Sequence, residues 1–174
     1  MAKLFFTEIP TYKEIQETAK LLHPELDHLT FYSHILLRKI STDLEVNLDK
    51  FFSQYNLSSG RFALMLLLNR TPGGLMPSEI AQKVGVTQAT ISGLINSLEK
   101  AELVKRTTHE KDGRSFVILL TEKGLKACDE IAPLYHERIS KFWSDFSAEE
   151  KQSISSGMEK LIKSVGRLGQ TEKA

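Results

Sequence analysis

Apolar residues recur at helical spacing over most of the chain, and one stretch is typical of a β-hairpin. The spacing predicts a short helix at residues 12–22 and a long helix from Glu25 to about Tyr55. It predicts further helices at residues 59–69, 77–84, 88–101, 122–143 and 148–168. Strands at residues 103–108 and 115–120 would form the hairpin, with a tight turn at Asp112-Gly113 in its tip, residues 109–114.

Residues that favour helix ends support these boundaries. Five side-chain hydroxyls precede predicted helices and can accept a hydrogen bond from the first turn, those of Thr11, Ser58, Thr87, Thr121 and Ser147. Thr11 and Ser147 are each followed three residues later by glutamate, the spacing of a capping box. Pro133 lies inside the helix predicted at 122–143, which we expect it to kink or divide because proline has no backbone N–H.

The stretch at residues 77–120 organises the rest of the chain. Its first helix turns Ile80, Ala81 and Val84 inward, Gly85 ends it, and Val86 fills the corner before the second helix. A helix-turn-helix followed by a β-ribbon is a winged helix, which suits a DNA duplex. The predicted fold is therefore mainly α with a small β-hairpin wing. We expect an N-terminal arm and dimerisation helices at 1–56, a winged helix-turn-helix DNA-binding domain at 57–121 and C-terminal dimerisation helices at 122–174.

The long helix has more apolar surface than a small domain needs. Its stripe follows steps of three and four through Leu29, Ser33, Leu36, Ile40, Leu44, Leu48, Phe51 and Tyr55. A helix of ~30 residues would be ~45 Å long. This face could be covered by later helices of the same chain or by a second copy, and we favour the second copy. A two-fold homodimer would hold two recognition helices about one DNA turn, ~34 Å, apart.

Composition fits a globular protein and leaves DNA binding to local clusters of charge. The 174 residues are 41% hydrophobic and 26% charged, with a formal net charge of +1. The one cysteine, Cys128, excludes an intrachain disulfide. The longest apolar run, residues 62–68, is about a third of the ~20 residues that a membrane span needs. We therefore expect a soluble, cytoplasmic protein.

The second short helix of the motif has the side chains that a DNA major groove accepts. Ile91, Leu94, Ile95 and Leu98 would face inward. This leaves Gly93 outward together with small and amide side chains that can contact base edges, those of Gln88, Ala89, Thr90, Ser92 and Asn96. Thr87 would cap the helix, whose N-terminus favours a phosphate. The alternative is that this polar face is only solvated. The position of the helix before a basic hairpin favours DNA binding.

Basic residues gather in the predicted hairpin. Arg106, Lys111 and Arg114 are placed to contact DNA there, and an arginine at a wing tip can enter a narrow minor groove. Asp112 would brace an arginine, since a free carboxylate beside phosphates would be repelled. Charged hairpin tips are also often simply solvated.

The motif resembles the MarR family of bacterial transcription regulators. The matching segments are Pro77-Ser78-Glu79-Ile80-Ala81, Val86-Thr87-Gln88-Ala89-Thr90-Ile91-Ser92, Leu98-Glu99-Lys100-Ala101 with Leu103-Val104, Asp112-Gly113-Arg114 and Leu120-Thr121-Glu122-Lys123-Gly124. The resemblance implies a homodimeric repressor on a palindromic operator, released by a small molecule. It also implies that Arg114 enters the minor groove while Asp112 holds the wing, and it adds Ser78 to the DNA-contacting residues.

Two residues depart from the family pattern. Met76 stands where a Ser or Thr commonly caps the first short helix, a change that costs ~1 kcal/mol and that Pro77 and Glu79 partly offset. Glu102 stands where glycine usually follows the recognition helix. If the backbone is left-handed there, Glu102 costs roughly 1 kcal/mol relative to glycine.

Other functions have weaker support in the sequence. No phosphate loop, nucleophile elbow or metal-binding helix indicates an enzyme, and no cofactor is expected. A zinc-responsive regulator would use some of His23, His28, His34, His109 and His136, which show no ligand spacing. A winged helix used for protein contacts would have a more apolar or acidic outward face. Cys128 could sense oxidation, but it lies on an apolar stripe typical of a buried thiol.

A small aromatic effector is expected to bind between the dimerisation helices and the DNA-binding lobe. Apolar and aromatic residues could line such a pocket or belong to the core, and our candidates are Phe31, Tyr32, Phe62 and Trp143.

Overall fold

A computed structural model describes residues 8–22, 24–25, 27–109 and 112–170, with the backbone alone for residues 22, 109 and 112–115. Along the described chain the elements are α1 Tyr12–Leu22, α2 His28–Ser53, α3 Ser59–Asn69, α4 Pro77–Val84, α5 Gln88–Lys100, β1 Val104–His109, β2 Asp112–Leu120, α6 Glu122–Phe142, α7 Ala148–Ser164 and a 3-10 helix at Val165–Gly169. This order confirms the predicted fold class. None of these helices is long and apolar enough to span a membrane.

The predicted capping residues lie at the helix ends. Backbone N–H groups donate to the hydroxyls of Thr11, Ser58, Thr87, Thr121 and Ser147 at 3.0–3.3 Å. The start of the long helix was predicted wrongly at Glu25. Asp27 caps α2, because its carboxylate accepts hydrogen bonds from the backbone N–H groups of Leu29 and Thr30. The Thr30 hydroxyl also donates to the Asp27 carboxylate, and this bond, followed by the backbone bond from Thr30, lowers the pKa of Asp27.

The C-terminal end of α2 packs into the core of its own chain. Phe52 stacks on Phe62 of α3 with ring centroids 4.6 Å apart, and both side chains are buried. The backbone N–H of Ser59 donates to the Asp49 carboxylate at 2.7 Å, which ties the start of α3 to α2. Intrachain packing therefore covers this end of the apolar stripe, the part that contains Phe51.

The wing is an antiparallel ribbon of β1 and β2 whose register changes near its tip. Val104 pairs with Leu120, and His109 pairs with Asp112 beyond an irregularity between Thr108 and His109. The prediction of a turn at Asp112-Gly113 was therefore wrong, because β2 already begins at Asp112 and the irregularity shifts the pairing. Leu75 forms an isolated bridge to Ile118, through backbone hydrogen bonds of 3.2 and 2.9 Å, and so joins the ribbon to the segment before α4.

Three other expectations need correction. Val84 and Val86 are exposed, because the chain reverses at Gly85 before either side chain reaches the core. Pro133 does not divide α6, which is continuous from Glu122 to Phe142. Pro133 and Asp129 are exposed, so water can bind the Asp129 carbonyl that proline leaves unpaired. The last predicted helix ends at Ser164 and continues as a 3-10 turn.

The corner between α5 and β1 depends on close backbone contacts. Glu102 has a φ of 61°, so its backbone is left-handed and the condition for the cost relative to glycine is met. Its carbonyl accepts a 2.6 Å hydrogen bond from the Thr121 hydroxyl, and Lys123 Nζ donates to the Ala101 carbonyl at 2.9 Å. Gly124 lies so close to the Leu103 carbonyl that a Cβ atom would overlap it.

We expect Gly124→Ala to destabilise the chain by roughly 1–3 kcal/mol, a typical effect of overpacking. The Leu103 carbonyl cannot retreat freely, because it accepts a hydrogen bond from the Thr121 backbone at 3.1 Å. Gly93→Ala is the matched control, since a Cβ there meets nothing within 4 Å. The control should be neutral or stabilising by roughly 0.5–1 kcal/mol. Urea unfolding of both variants measures the difference, and equal stabilities would contradict the predicted clash.

The chain divides into two compact units, Met1–Gly124 and Leu125–Ala174. In the first unit the N-terminal part of α2 exposes large apolar side chains, those of Leu29, Phe31, Leu37, Ile40 and Leu44. In the second unit three apolar side chains at the end of α7 and in the following 3-10 turn are exposed even more, with Ile162 at 72%, Val165 at 62% and Leu168 at 77%. Each unit thus has an apolar surface that remains uncovered in the single chain.

Candidate nucleic-acid interface

The helix-turn-helix is built from α4, the turn at Gly85 and α5. Without a side-chain cap at Met76, the Glu79 carboxylate accepts a 2.8 Å hydrogen bond from the Met76 backbone N–H. Gly85 ends α4 with a φ of 69°, a left-handed conformation that glycine adopts without strain. Ile80, Ile91 and Leu98 are fully buried and fix the two helices on the core.

The outward face of α5 has the predicted polar and small side chains. Gln88, Ala89, Thr90, Ser92 and Asn96 are all exposed. At the start of the helix the Thr87 and Thr90 hydroxyls lie 2.9 Å apart, and Thr87 Oγ1 also accepts from the Thr90 backbone N–H. The capping interaction therefore holds two of the candidate hydroxyls together at the helix N-terminus.

Arg106 connects the wing to this helix. Its Nη2 donates to Asn96 Oδ1 at 2.6 Å, and its Nε lies 3.2 Å from a Glu99 carboxylate oxygen. The guanidinium carbon also lies 5.1 Å from the centroid of the Phe116 ring on β2, within the range of a cation–π contact. Arg106 thus contacts two side chains of α5 and one ring of β2, although we predicted it only as a DNA contact.

The other predicted wing residues are placed less completely. Lys111 lies outside the described residues, and Asp112 and Arg114 are described only by their backbone in β2. Ser78 is exposed in the first turn of α4. The roles assigned to these four residues stay predictions.

Two residues that the sequence did not single out belong to this surface. Glu99 and Phe116 hold Arg106, and they are separated from it by seven and ten positions, so no local pattern links them. Gly93, which was predicted to face outward, is exposed on α5 between Ala89 and Asn96, and a Cβ atom built on it meets nothing within 4 Å. Residues 89, 93 and 96 lie on one helical face.

The four candidate effector residues differ in exposure. Phe62 is buried in the core, as its stacking on Phe52 shows, while Phe31 is 48% exposed. Tyr32 is half-buried, with its ring centroid 5.6 Å from that of Tyr12. In the second unit Trp143 makes edge contacts with Phe142 and Phe146, each at 5.3 Å.

Comparison with known proteins identifies the family. The sequence model of the MarR family matches residues 57–116. The HTH-type transcriptional repressor YetL of Bacillus subtilis is 33% identical over 144 residues, which are 82% of this chain and 86% of the relative. The chain belongs to the MarR family. The HTH-type transcriptional regulator PecS of Dickeya dadantii is 30% identical over 133 residues, 75% of this chain and 80% of PecS.

Solved structures of MarR-type regulators share the fold. A complex of Staphylococcus aureus MepR with DNA has a TM-score of 0.69 and 24% identity, over 76% of this chain and 95% of MepR. The regulator SlyA has a TM-score of 0.66 and 20% identity, over 76% of this chain and 94% of SlyA. Membership of the MarR family confirms the predicted DNA-binding transcriptional regulator and the prediction that the protein is not an enzyme.

Of the two possible sensing groups of this MarR-type chain, the structure locates Cys128. Cys128 in α6 is 1% exposed, and burial, with a smaller contribution from the charge of Asp129, raises the pKa of its thiol to about 11. Within the described residues no three His, Cys, Asp or Glu side chains are grouped as metal ligands. His23 lies outside the described residues, so the zinc alternative is not tested.

We expect the Cys128 thiol of the native protein to be inert at pH 8. A pKa of about 11 keeps it protonated at that pH, and the thiolate is the nucleophile. Alkylation by iodoacetamide, followed by mass spectrometry, should be slow in buffer and fast in 8 M urea, with a difference of roughly 100-fold expected from the thiolate fraction and the burial together. Equal rates in the two solutions would contradict the burial of this thiol.

Proposed function

We propose that this MarR-type regulator is a homodimeric repressor that binds a palindromic operator and is released by a small aromatic effector. In each copy α5 enters the major groove and the wing reaches the adjacent minor groove. The observation that carries the proposal is the exposed stripe of small and amide side chains on α5, bonded to the wing through Arg106. Such a stripe allows backbone and side chains to approach base edges closely.

The DNA-contacting residues fall into two groups by their chemistry. Gln88, Ala89, Thr90, Ser92 and Asn96 face the bases, where amide and hydroxyl groups pair with base edges and methyl groups contact thymine. Ser78, Thr87, Lys111 and Arg114 supply the phosphate and minor-groove contacts, which position the protein and make binding dependent on salt. The DNA complex of S. aureus MepR supports this arrangement by its shared fold.

The apolar surfaces that remain uncovered in the single chain support the homodimer. Exposed apolar surface of this extent marks an interface, and two-fold dimers are the commonest oligomers. We assign α2, α7 and the 3-10 turn to that interface, in agreement with the division of the chain into dimerisation helices at 1–56 and 122–174. The two copies of α5 would then lie about 34 Å apart.

The effector would bind beside the dimerisation helices. Phe31 and Tyr32 in the first unit, and separately Trp143 in the second, are candidates that are at least partly exposed, whereas core packing accounts for Phe62. A ligand that binds the folded chain raises its melting temperature by mass action. A thermal-shift screen with benzoate-like acids tests this part of the proposal, with a concentration-dependent rise as the expected result and no rise for any acid as the contradicting one.

The operator proposal is tested by selection of DNA from a random pool. The full chain is incubated with randomised 30-base-pair duplexes, and the retained sequences are amplified and read. We expect a palindrome with half-sites about 10 base pairs apart. Affinity for the selected duplex should fall steeply with salt, by roughly 10³-fold or more between 50 and 200 mM if six or more phosphates are contacted. An asymmetric consensus or a salt-independent affinity would refute the proposal.

A further inference from the structure

We propose that Arg106 is a positioning residue that sets the base preference of Asn96 by holding its carboxamide so that only the NH₂ group faces DNA. This inference rests on the proposed role of α5 in the major groove. Through Arg106, β1 of the wing would take part in base selection although the Arg106 side chain does not itself touch a base.

Three contacts hold the Arg106 side chain beside α5. Asn96 and Glu99 are one helical turn apart, and the planar guanidinium reaches both, at 2.6 Å to Asn96 Oδ1 and 3.2 Å to Glu99. Phe116 packs against its face at 5.1 Å. The fork and plane of an arginine are suited to such a site, whereas a lysine ammonium could not make the same set of contacts. We call this arrangement the Arg106 clamp.

The clamp decides which atoms of Asn96 are available to a base. A guanidinium has donors and no acceptor, so the carboxamide atom bonded to it must be the oxygen. With Oδ1 held by Arg106, we place Nδ2 and its two hydrogens toward the DNA. The Glu99 carboxylate also neutralises the Arg106 charge, which lowers its attraction to a phosphate.

A donor-only asparagine prefers different bases from a free one. A free asparagine pairs with adenine through two bonds, in which its oxygen accepts from N6 and its NH₂ donates to N7. That pairing needs both Oδ1 and Nδ2 at one base edge, and the clamp turns Oδ1 toward β1. Guanine offers two acceptors in the major groove, O6 and N7. Clamped Asn96 should therefore favour guanine, and Asn96 released from the clamp should favour adenine.

The first test examines the clamp in the DNA-free protein. The side-chain NH₂ resonances of Asn96 are assigned in a ¹⁵N–¹H spectrum as the pair lost in Asn96→Ala. Arg106→Met keeps an apolar stem against Phe116 but removes every donor, and it should move this pair. Lys105→Met removes the same charge from the neighbouring residue of β1 and should leave the pair in place. Asn96 resonances that do not respond to Arg106→Met would overturn the clamp.

The second test measures base preference with the randomised duplex pool. Asn96→Ala should relax one position of the consensus, and at that position wild-type protein should select guanine. Arg106→Met should shift the guanine-to-adenine ratio there by roughly tenfold toward adenine, within the discrimination of one base contact. In the Asn96→Ala background, Arg106→Met should change nothing at that position, because the two residues act as a unit. Thermal unfolding of each variant verifies that it is folded.

The remaining outcomes each overturn the inference. If Arg106→Met lowers affinity equally for all sequences and reduces the salt slope, Arg106 is a phosphate contact. If Asn96→Ala relaxes no position, Asn96 does not contact a base. If wild-type protein selects no sequence, the proposed function fails, and base selection by Asn96 fails with it. The spectrum of the DNA-free protein then still shows whether Arg106 holds Asn96.

Discussion

Ile162→Glu should convert the protein to monomers and lower its affinity for the selected operator by roughly 100-fold or more. In a two-fold dimer the substitution places a carboxylate in the interface from each copy, and burying unpaired charge is costly. Ile162 is 72% exposed in the single chain, so the substitution should leave the fold of the monomer intact. A monomer binds only one half-site. It therefore loses the gain in affinity that comes from joining two DNA-binding units in one dimer, typically 10²–10⁴-fold.

Ser153→Glu is the matched control for this prediction. Ser153 lies in the same helix, nine residues before Ile162, and is exposed on the opposite face. It introduces the same charge and should leave both assembly and DNA affinity unchanged. Sedimentation velocity measures the oligomeric state, and fluorescence anisotropy with a labelled operator measures affinity. Dimers that persist in Ile162→Glu, with wild-type affinity, would show that this surface is not the dimer interface.

Gly93→Glu should reduce operator binding by roughly 100-fold without destabilising the protein. Gly93 lies on the outward face of α5 with open space around it, so the added side chain cannot clash within the chain. In the proposed complex the same space is occupied by DNA. A carboxylate placed there meets the phosphates and base edges at close range, and like-charge contacts of this kind cost several kcal/mol.

Two further substitutions at this position separate size from charge and folding. Gly93→Gln has nearly the same volume without the charge, and should weaken binding less than Gly93→Glu. Gly93→Ala should stabilise α5 by roughly 0.5–1 kcal/mol, because glycine is unfavourable inside a helix. Anisotropy titrations and thermal unfolding of all three variants provide the measurements. If Gly93→Glu bound the operator as tightly as wild type, α5 could not be the recognition helix.

Local rules of sequence predicted the helix ends and the winged helix well. The caps at Thr11, Ser58 and Ser147 are contacts within three residues of each other, so the sequence alone contains them. The sequence also marked Glu102 as a position where a left-handed backbone would be costly, and its φ is 61°. Membership of the MarR family was indicated by the motif between Pro77 and Gly124 and is confirmed.

The errors and omissions involve tertiary geometry. The register of the wing depends on an irregularity at Thr108 and His109, which moved Asp112 from the predicted turn into β2. The bridge of Leu75 to Ile118 joins positions 43 residues apart and has no sequence pattern. The contact of Arg106 with Asn96 likewise depends on how the wing folds back onto α5, so the sequence showed two DNA-contacting residues where the structure shows a bonded pair.

The most direct test of the account is a hydroxyl-radical footprint on the selected operator, combined with the mass of the complex. Two copies of the chain should bind one duplex and protect two patches about 10 base pairs apart on one face of the DNA. Minor-groove protection outside each patch should mark the wings. A single protected half-site with one chain per duplex would contradict the proposal that this MarR-type protein binds its operator as a two-fold dimer.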